Sequence, residues 1–202
     1  MLRWVLSFLI LAATARADTP FWKSKSKVYE RVRVGEIMVS VKSIAGRPPF
    51  QHTLRISGGG HVRAPKTFVV SFAQDFDQVA RLSGFIEKSV YHKDRGQLEL
   101  DLAALGHRAH MQIAVKAILT DSPRIVFEVL RGPLEGLESQ VAFSEVSARV
   151  TEVGMDGHFN YNTFPIPRLF LQFGLEVVFQ KMAARLRAEV ESAYKAQGDG
   201  HS

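Results

Sequence analysis

The stretch "FPIPRLFLQFGLEVVFQKMAARLRAEVE", residues 164–191, predicts a long helix near the end of the chain whose two halves differ in polarity. In the second half, Met182, Leu186 and Val190 recur every four residues and predict one apolar stripe with charge around it. The first half is apolar on several sides: Leu171, Leu175 and Val178 form a stripe, and Phe170, Phe173, Val177 and Phe179 surround it. A protein core covers a helix stripe only about 100° wide, so the first half needs a second apolar partner.

Six segments before this helix alternate between apolar and polar residues, which predicts antiparallel strands with one covered face and one wet face. In one of them, Leu98, Leu100 and Leu102 alternate with polar residues. Turn-forming residues separate the segments, so the strands should follow one another as a meander. The six predicted strands span residues 85–93, 96–105, 107–119, 123–132, 137–148 and 149–159.

The earlier part of the chain predicts one strand followed by two short helices. Alternating apolar residues predict the strand over residues 32–41, and the "GGG" of residues 58–60 predicts a turn. After Pro65 the spacing becomes helical, with phenylalanine at every fourth position: Phe68, Phe72 and Phe76. A break near Asp75 divides this stretch, and the second helix ends at Leu82. We interpret Asp75 as a cap of that second helix rather than as an acid.

This α+β order of one strand, two short helices, six strands and a long terminal helix resembles the helix-grip fold of the START-like (SRPBCC) superfamily. That group includes START lipid-transfer domains, polyketide cyclases and coenzyme Q-binding proteins. The resemblance covers about residues 34–195, and its most recognisable pieces are "HVRAPKTFVVSFAQDF", residues 61–76, and the terminal helix. It implies a curved antiparallel sheet of about seven strands that grips this helix, with two short helices inserted after the first strand. A lipocalin-like barrel is the alternative fold, and the inserted helices argue against it.

The resemblance also implies an apolar cavity between the sheet and the terminal helix, which would supply the second partner of the helix. The expected lining residues are Leu100, Met111, Ile113, Phe127, Val129, Phe143, Phe170, Leu171, Phe173 and Phe179. The loop "NYNTFPIP", residues 160–167, would lie at the entrance of the cavity. The alternative is that Phe170 and Phe173 are ordinary core under the two short helices.

Three polar residues are candidates for chemistry inside such a cavity: Glu176, His110 and Tyr161. Glu176 is a lone acid in an apolar stretch, and a carboxylate buried there would need a partner. Exposure of Glu176 to solvent is the other interpretation. His107 and His110 are three residues apart on a predicted strand and face opposite ways, so they cannot chelate one metal. No H-E-x-x-H, G-x-S-x-G or P-loop motif occurs, and the sequence assigns no catalytic residue, metal or cofactor.

The first residues predict an export signal. Arg3 precedes an apolar run over residues 4–13, and residues 15–17 form an A-x-A cleavage pattern. The run is shorter than the ~20 residues that a spanning helix needs, so we expect cleavage after Ala17 and a periplasmic protein. The chain contains no cysteine, which excludes disulfides, zinc thiolates and lipid attachment through cysteine. Cleavage would lower the formal charge from +6 to +4, because the 26 basic residues lose two and the 20 acidic residues lose none.

The predicted organisation is a signal peptide (1–17), a basic leader (18–33), a START-like ligand-binding domain (34–197) and a flexible tail (198–202). The leader carries five basic residues behind Phe21 and Trp22. It has two interpretations: peripheral contact with an anionic membrane surface, or a solvated leader into the first strand. The charge is spread along an exported chain, so nucleic acid is not an expected partner.

These features favour a protein that binds or carries a hydrophobic small molecule, such as a lipid, quinone or isoprenoid. One alternative is a cyclase or dehydratase, which would need an acid or base within hydrogen-bond reach of its substrate. The other alternative is an envelope assembly module that uses the basic leader and exposed strand edges.

Overall fold

The computed structural model of the protein describes residues 20–104, 107–164 and 167–199. The predicted signal peptide and its cleavage site after Ala17 lie outside the described residues, as does the end of the predicted tail, residues 200–202. Within the described ranges, no helix combines the length and the apolar character needed to cross a membrane.

The described chain combines one antiparallel sheet with helices on both of its faces. In chain order the elements are α1 (Phe21–Ser24), α2 (Ser26–Arg33), β1 (Met38–Ala45), β2 (His52–Val62), α3 (Lys66–Ala73), a 3₁₀ helix (Phe76–Leu82), β3 (Ile86–His92), β4 (Gln97–Ala104), β5 (His107–Ile118), β6 (Arg124–Arg131), β7 (Glu138–Ser147), β8 (Val150–Tyr161) and α4 (Arg168–Asp199). The sheet order is β1-β2-β8-β7-β6-β5-β4-β3. The α+β class and the helix-grip architecture with its long terminal helix are therefore confirmed.

The six predicted meander strands correspond to β3 through β8, and the two predicted short helices correspond to α3 and the 3₁₀ helix. Asp75 occupies the cap position of the 3₁₀ helix, but its side chain makes no capping hydrogen bond. Asp77, two residues later, has a different role: its Oδ1 accepts a hydrogen bond from the backbone N–H of Tyr91 at 3.1 Å. This bond ties the 3₁₀ helix to the edge strand β3.

The N-terminal part differs from the sequence prediction. Residues 32–41 do not form one strand, because α2 continues to Arg33 and β1 begins only at Met38. Gly35 lies between them with φ +101°, a left-handed conformation that suits glycine and turns the chain. The three glycines of residues 58–60 are not a turn but lie inside β2. The sheet therefore has eight strands, and the short helices follow the second strand rather than the first.

The packing of Trp22 explains why β2 contains glycine. Trp22 is 1% exposed, and its indole lies on Gly59 and Gly154, which are paired neighbours on β2 and β8. A Cβ at Gly59 would lie 2.4 Å from Trp22 Cε2, and one at Gly154 would lie 3.2 Å from Trp22 Cζ2. The missing side chains form a seat for the indole, so α1 and α2 are packed on the sheet and are not a solvated leader.

Alternation along β2 assigns the two faces of the sheet. Leu54, Ile56 and Val62 point to the inner face, which is covered by α3, the 3₁₀ helix and α4, whereas Gly59 and His61 point to the outer face under α1 and α2. The helix-grip core is thus on one side of the sheet. The N-terminal helices cover part of the other side.

The inner face carries two core clusters. The first cluster contains the buried residues Val62, Ala64, Val69, Phe76, Ile86, Leu98, Leu100, Val115, Ile125, Phe143 and Val190. The second cluster contains Val41, Leu54, Ile56, Val129, Leu137, Phe159, Tyr161 and Leu171. Met182 and Leu186 pack against the first cluster, and Leu175 packs against the second. The stripes predicted for the two halves of α4 therefore face different clusters.

Candidate functional site

An apolar pocket lies beside the first core cluster, where α3, the 3₁₀ helix, β6, β7 and α4 meet. Its cavity volume is about 110 Å³. We call it the apolar pocket, and its lining residues are Phe72, Ala73, Asp75, Phe76, Gln78, Val79, Leu82, Ile125, Phe127, Val141, Phe143 and Leu186. Apolar side chains form nearly all of its wall, and Asp75 and Gln78 are the two polar lining residues.

Local sequence patterns place these side chains together. Ile125 and Val141 are paired across β6 and β7, and two steps along each strand Phe127 and Phe143 point to the same inner face. Opposite them, Phe76 of the 3₁₀ helix contacts the Phe127 ring edge-on, with a centroid distance of 6.4 Å. The pocket is the space left between this aromatic contact and Leu186 of α4.

Two of the predicted lining residues, Phe127 and Phe143, lie in the wall of the apolar pocket. Six others belong to the two core clusters or pack against them: Leu100, Met111, Ile113, Val129, Leu171 and Phe179. The placement of Phe170 and Phe173 in an interior cavity is wrong. Their exposed fractions are 66% and 68%, so they lie on the outer surface of α4, as does Leu169 at 72%.

The inner face is not completely covered between the two clusters. Met111, Ile113, Phe127, Val141 and Val153 point to this face but are only partly buried. The position of α4 gives the reason, because it packs mainly along β1 at the edge of the sheet. Apolar strand residues near the middle of the sheet therefore remain within reach of a ligand.

The three predicted polar residues do not come together. His110 is exposed on the outer face, where its Nδ1 lies 2.9 Å from Asp101 Oδ1, so its assignment to the cavity is wrong. Tyr161 is buried in the second core cluster, and its hydroxyl lies 2.9 Å from Ser43 Oγ. Glu176 is partly exposed on α4. Within the described residues, no three histidine or carboxylate side chains are grouped so as to hold a metal.

Sequence reasoning missed Asp75 and Gln78 as the polar part of the pocket wall. The sequence pattern suggests only a capping role for Asp75, whereas its side chain is exposed at the pocket and makes no capping hydrogen bond. The available signal was the combination of a polar residue at a helix break with the phenylalanines on both sides of it. Asp75 and Gln78 are the side chains of the pocket wall that can form hydrogen bonds with a ligand.

No family model matches the sequence, and no curated protein matches it significantly. Solved structures do match the fold. A START superfamily protein from Mycobacterium smegmatis is similar with a TM-score of 0.58 and 18% identity, over 69% of this chain and 98% of that one. The ZhuI aromatase/cyclase from a Streptomyces species matches with a TM-score of 0.55 and 15% identity, over 69% and 94% of the two chains.

A third similar structure is the di-domain aromatase/cyclase StfQ from the steffimycin biosynthetic pathway. Its TM-score is 0.54 at 10% identity, over 69% of this chain and 46% of that one. The protein thus has the START-like helix-grip fold that the sequence predicted. At these identities the similarity concerns the fold alone, so activity has to be argued from the site.

Proposed function

We propose that the protein binds a hydrophobic small molecule through the apolar pocket and the partly covered inner face beside it. The observation that carries this proposal is the pocket itself, which is lined by ten apolar residues and by only two polar ones, Asp75 and Gln78. Such concave apolar sites with few polar groups are typical of small-molecule binding. The fold supports the same conclusion, because START-like folds suggest ligand binding or cyclase activity.

The size of the pocket limits what it holds in the present conformation. Its volume of about 110 Å³ is smaller than the ~300 to 1,000 Å³ of sites that enclose drug-sized ligands. It fits one ring or a short chain segment of a larger molecule. The rest of a lipid, quinone or isoprenoid would lie along the partly buried Met111, Ile113 and Val153. Outward movement of α3 and the 3₁₀ helix would make the additional room.

A binding function is favoured over a cyclase or dehydratase activity. General acid–base catalysis needs a side chain within hydrogen-bond reach of the reacting atoms. In the wall of the apolar pocket the one titratable side chain is Asp75, which is exposed to solvent. Neither His110 nor Tyr161 lines this pocket.

Replacing Phe127 by tryptophan should fill the apolar pocket and weaken binding of an apolar probe. N-phenylnaphthylamine is a suitable probe because it is uncharged and fluoresces more strongly in apolar surroundings. We expect the variant to bind it about tenfold more weakly, which corresponds to ~1.4 kcal/mol. A fluorescence titration gives the Kd of each protein.

The matched control is Phe173→Trp, which makes the same chemical change at a side chain that is 68% exposed. It should bind the probe like the parent. Stability is measured by urea unfolding on the same samples, since overpacking a filled core would cost ~1 to 3 kcal/mol. Equal probe affinity in the parent and folded Phe127→Trp would overturn the proposal.

We further propose export to the periplasm, with the mature chain beginning at Asp18. The support is the sequence pattern of residues 1–17. The exposed basic side chains of Lys25, between α1 and α2, and of Lys27, in α2, support peripheral contact with an anionic membrane surface. The intact mass of the protein from a cell envelope fraction should equal that of residues 18–202. Retention of residues 1–17 in the isolated protein would contradict the cleavage site.

A further inference from the structure

A second pocket, with a different character, lies beside the same part of α4, where Arg187 and Glu191 line it instead of Leu186. Its volume is about 280 Å³, and it shares no residue with the apolar pocket. We call it the basic pocket, and it is lined by Arg33, Val34, Gly35, His61, Arg63, Val150, Arg187 and Glu191. These residues come from the end of α2 and the turn after it, from the end of β2 and the position after it, from the start of β8, and from α4.

Hydrogen bonds at the turn after α2 position Arg187 in the basic pocket. Gly35 turns the chain after α2, and its carbonyl oxygen accepts a hydrogen bond from Arg187 Nη1. A salt bridge of 2.6 Å between Arg31 and Glu36 closes the same turn. The turn therefore brings the end of α2 against α4, with the guanidinium of Arg187 between them.

Positive charge exceeds negative charge in the basic pocket. Three arginines face one carboxylate, Glu191, whose Oε1 already accepts a hydrogen bond from the backbone N–H of Arg63 at 2.9 Å. Arg33 is paired with Glu30 at 2.9 Å, and Arg187 uses one donor on Gly35. For the Arg63 guanidinium, the described part of the chain contains no ion-pair partner. Since each guanidinium has five N–H donors, most of them remain available.

His61 adds a buried polar group without a hydrogen bond. Its side chain is 9% exposed, and its Nε2 has no hydrogen-bond partner among the described residues. Glu152 Oε2 lies 3.8 Å from this nitrogen, which is too long for a hydrogen bond. Glu152 is instead paired with Lys23 at 2.5 Å. Burial holds the pKa of His61 below its ordinary value, so the ring is neutral at pH 7 and one of its nitrogens can donate.

We propose that the basic pocket binds a phosphate group, either of a free small phosphate or of a lipid headgroup. Its arginines come from three separate parts of the chain: Arg33 from the end of α2, Arg63 from the position after β2, and Arg187 from α4. A planar carboxylate is satisfied by one guanidinium in a bidentate pair, whereas a tetrahedral phosphate offers oxygens to several donors at once. The volume of the pocket accommodates such a group together with water.

Titration with inorganic phosphate tests the proposal. The parent should show saturable shifts of the backbone amide signals of residues 33–35, 61–63 and 187–191 in NMR spectra at low ionic strength. Arg63→Gln removes an exposed, unpaired guanidinium, so it should remain folded and bind phosphate about tenfold more weakly, since a hydrogen bond to a charged group is worth ~1.5 to 3 kcal/mol. The matched control is Arg185→Gln, which removes one exposed charge of α4 outside the pocket and should bind like the parent.

A second arm uses phosphatidylcholine vesicles with and without phosphatidylglycerol. A lipid headgroup is the source if phosphatidylglycerol increases sedimentation of the parent, if Arg63→Gln reduces it more than Arg185→Gln does, and if inorganic phosphate competes. A free phosphate is the source if inorganic phosphate saturates the pocket and the two variants sediment alike. The proposal is overturned if Arg63→Gln matches Arg185→Gln in both arms. Probe binding in the apolar pocket is unaffected by either outcome, because the two pockets share no residue.

Discussion

Gly59→Ala should destabilise the protein by on the order of 3 kcal/mol and release Trp22 from the sheet, because overpacking and loss of a buried tryptophan each cost ~1 to 5 kcal/mol. The added Cβ would lie 2.4 Å from Trp22 Cε2 and 2.6 Å from its Nε1. The rigid indole cannot bend away from this clash. It has to leave its seat, which exposes a side chain that is now 1% accessible.

Tryptophan fluorescence and urea unfolding measure this effect. In a chain that begins at Asp18, Trp22 is the only tryptophan, so its emission should shift to the red in Gly59→Ala. Gly84→Ala is the matched control, since a Cβ there has no atom within 4 Å. In a double-mutant cycle with Trp22→Ala, the cost of Gly59→Ala should largely disappear. Equal destabilisation by Gly59→Ala with and without Trp22 would show that Gly59 is not needed to accommodate the indole.

Val190→Asp should prevent folding of the domain. Val190 is 2% exposed and joins α4 to the first core cluster, with Val62 and Val69 in the same cluster. A carboxylate placed there without a partner costs several kcal/mol. That cost is comparable to the whole stability of a typical domain, about 5 to 15 kcal/mol. Circular dichroism and thermal melting should show loss of cooperative unfolding.

Ala188→Asp provides the control for Val190→Asp, because it introduces the same residue at an exposed position of the same helix. It should melt like the parent. Leu186, which the sequence places in the same stripe, is the weaker test site because it is only partly buried and lines the apolar pocket. Cooperative melting of Val190→Asp near the parent temperature would show that α4 does not grip the sheet through this stripe.

The sheet strands with a regular alternation were predictable from the sequence. In β4, Leu98 and Leu100 are buried while Glu99 between them is partly exposed, so one pattern gives both the strand and its inner face. The same reasoning gives the correct stripe on the second half of α4. The spacing and polarity of residues are enough to predict an element and its buried face where each residue faces either solvent or the core.

The glycines of β2 show where this reasoning fails. Three consecutive glycines favour a turn by conformational preference, yet Gly59 lies in a strand because a distant tryptophan occupies its side-chain space. The partner, Trp22, lies in a segment with a basic character that suggests a solvated leader. A contact between parts far apart in the chain overrides the local preference, and a single sequence contains no signal for it.

The candidate site was predictable only in part, for a related reason. The strand pattern assigns Phe127 and Phe143 to the inner face, and both line the apolar pocket. Phe170 and Phe173 follow a helical pattern that gives no information on which sides of α4 are covered, and both are exposed. The basic pocket was missed because Arg33, Arg63 and Arg187 are far apart in sequence and meet only through the turn at Gly35.

Mapping the bound probe by NMR shows whether it lies between the sheet and α4. At saturation with N-phenylnaphthylamine, we expect the largest amide shift changes at residues 72–82, 125–127 and 141–143, which include the residues that line the apolar pocket. Phe173→Trp should give the same map, and Phe127→Trp should remove it. Shift changes confined to the exposed Leu169, Phe170 and Phe173, or an unchanged map in Phe127→Trp, would contradict binding between the sheet and α4.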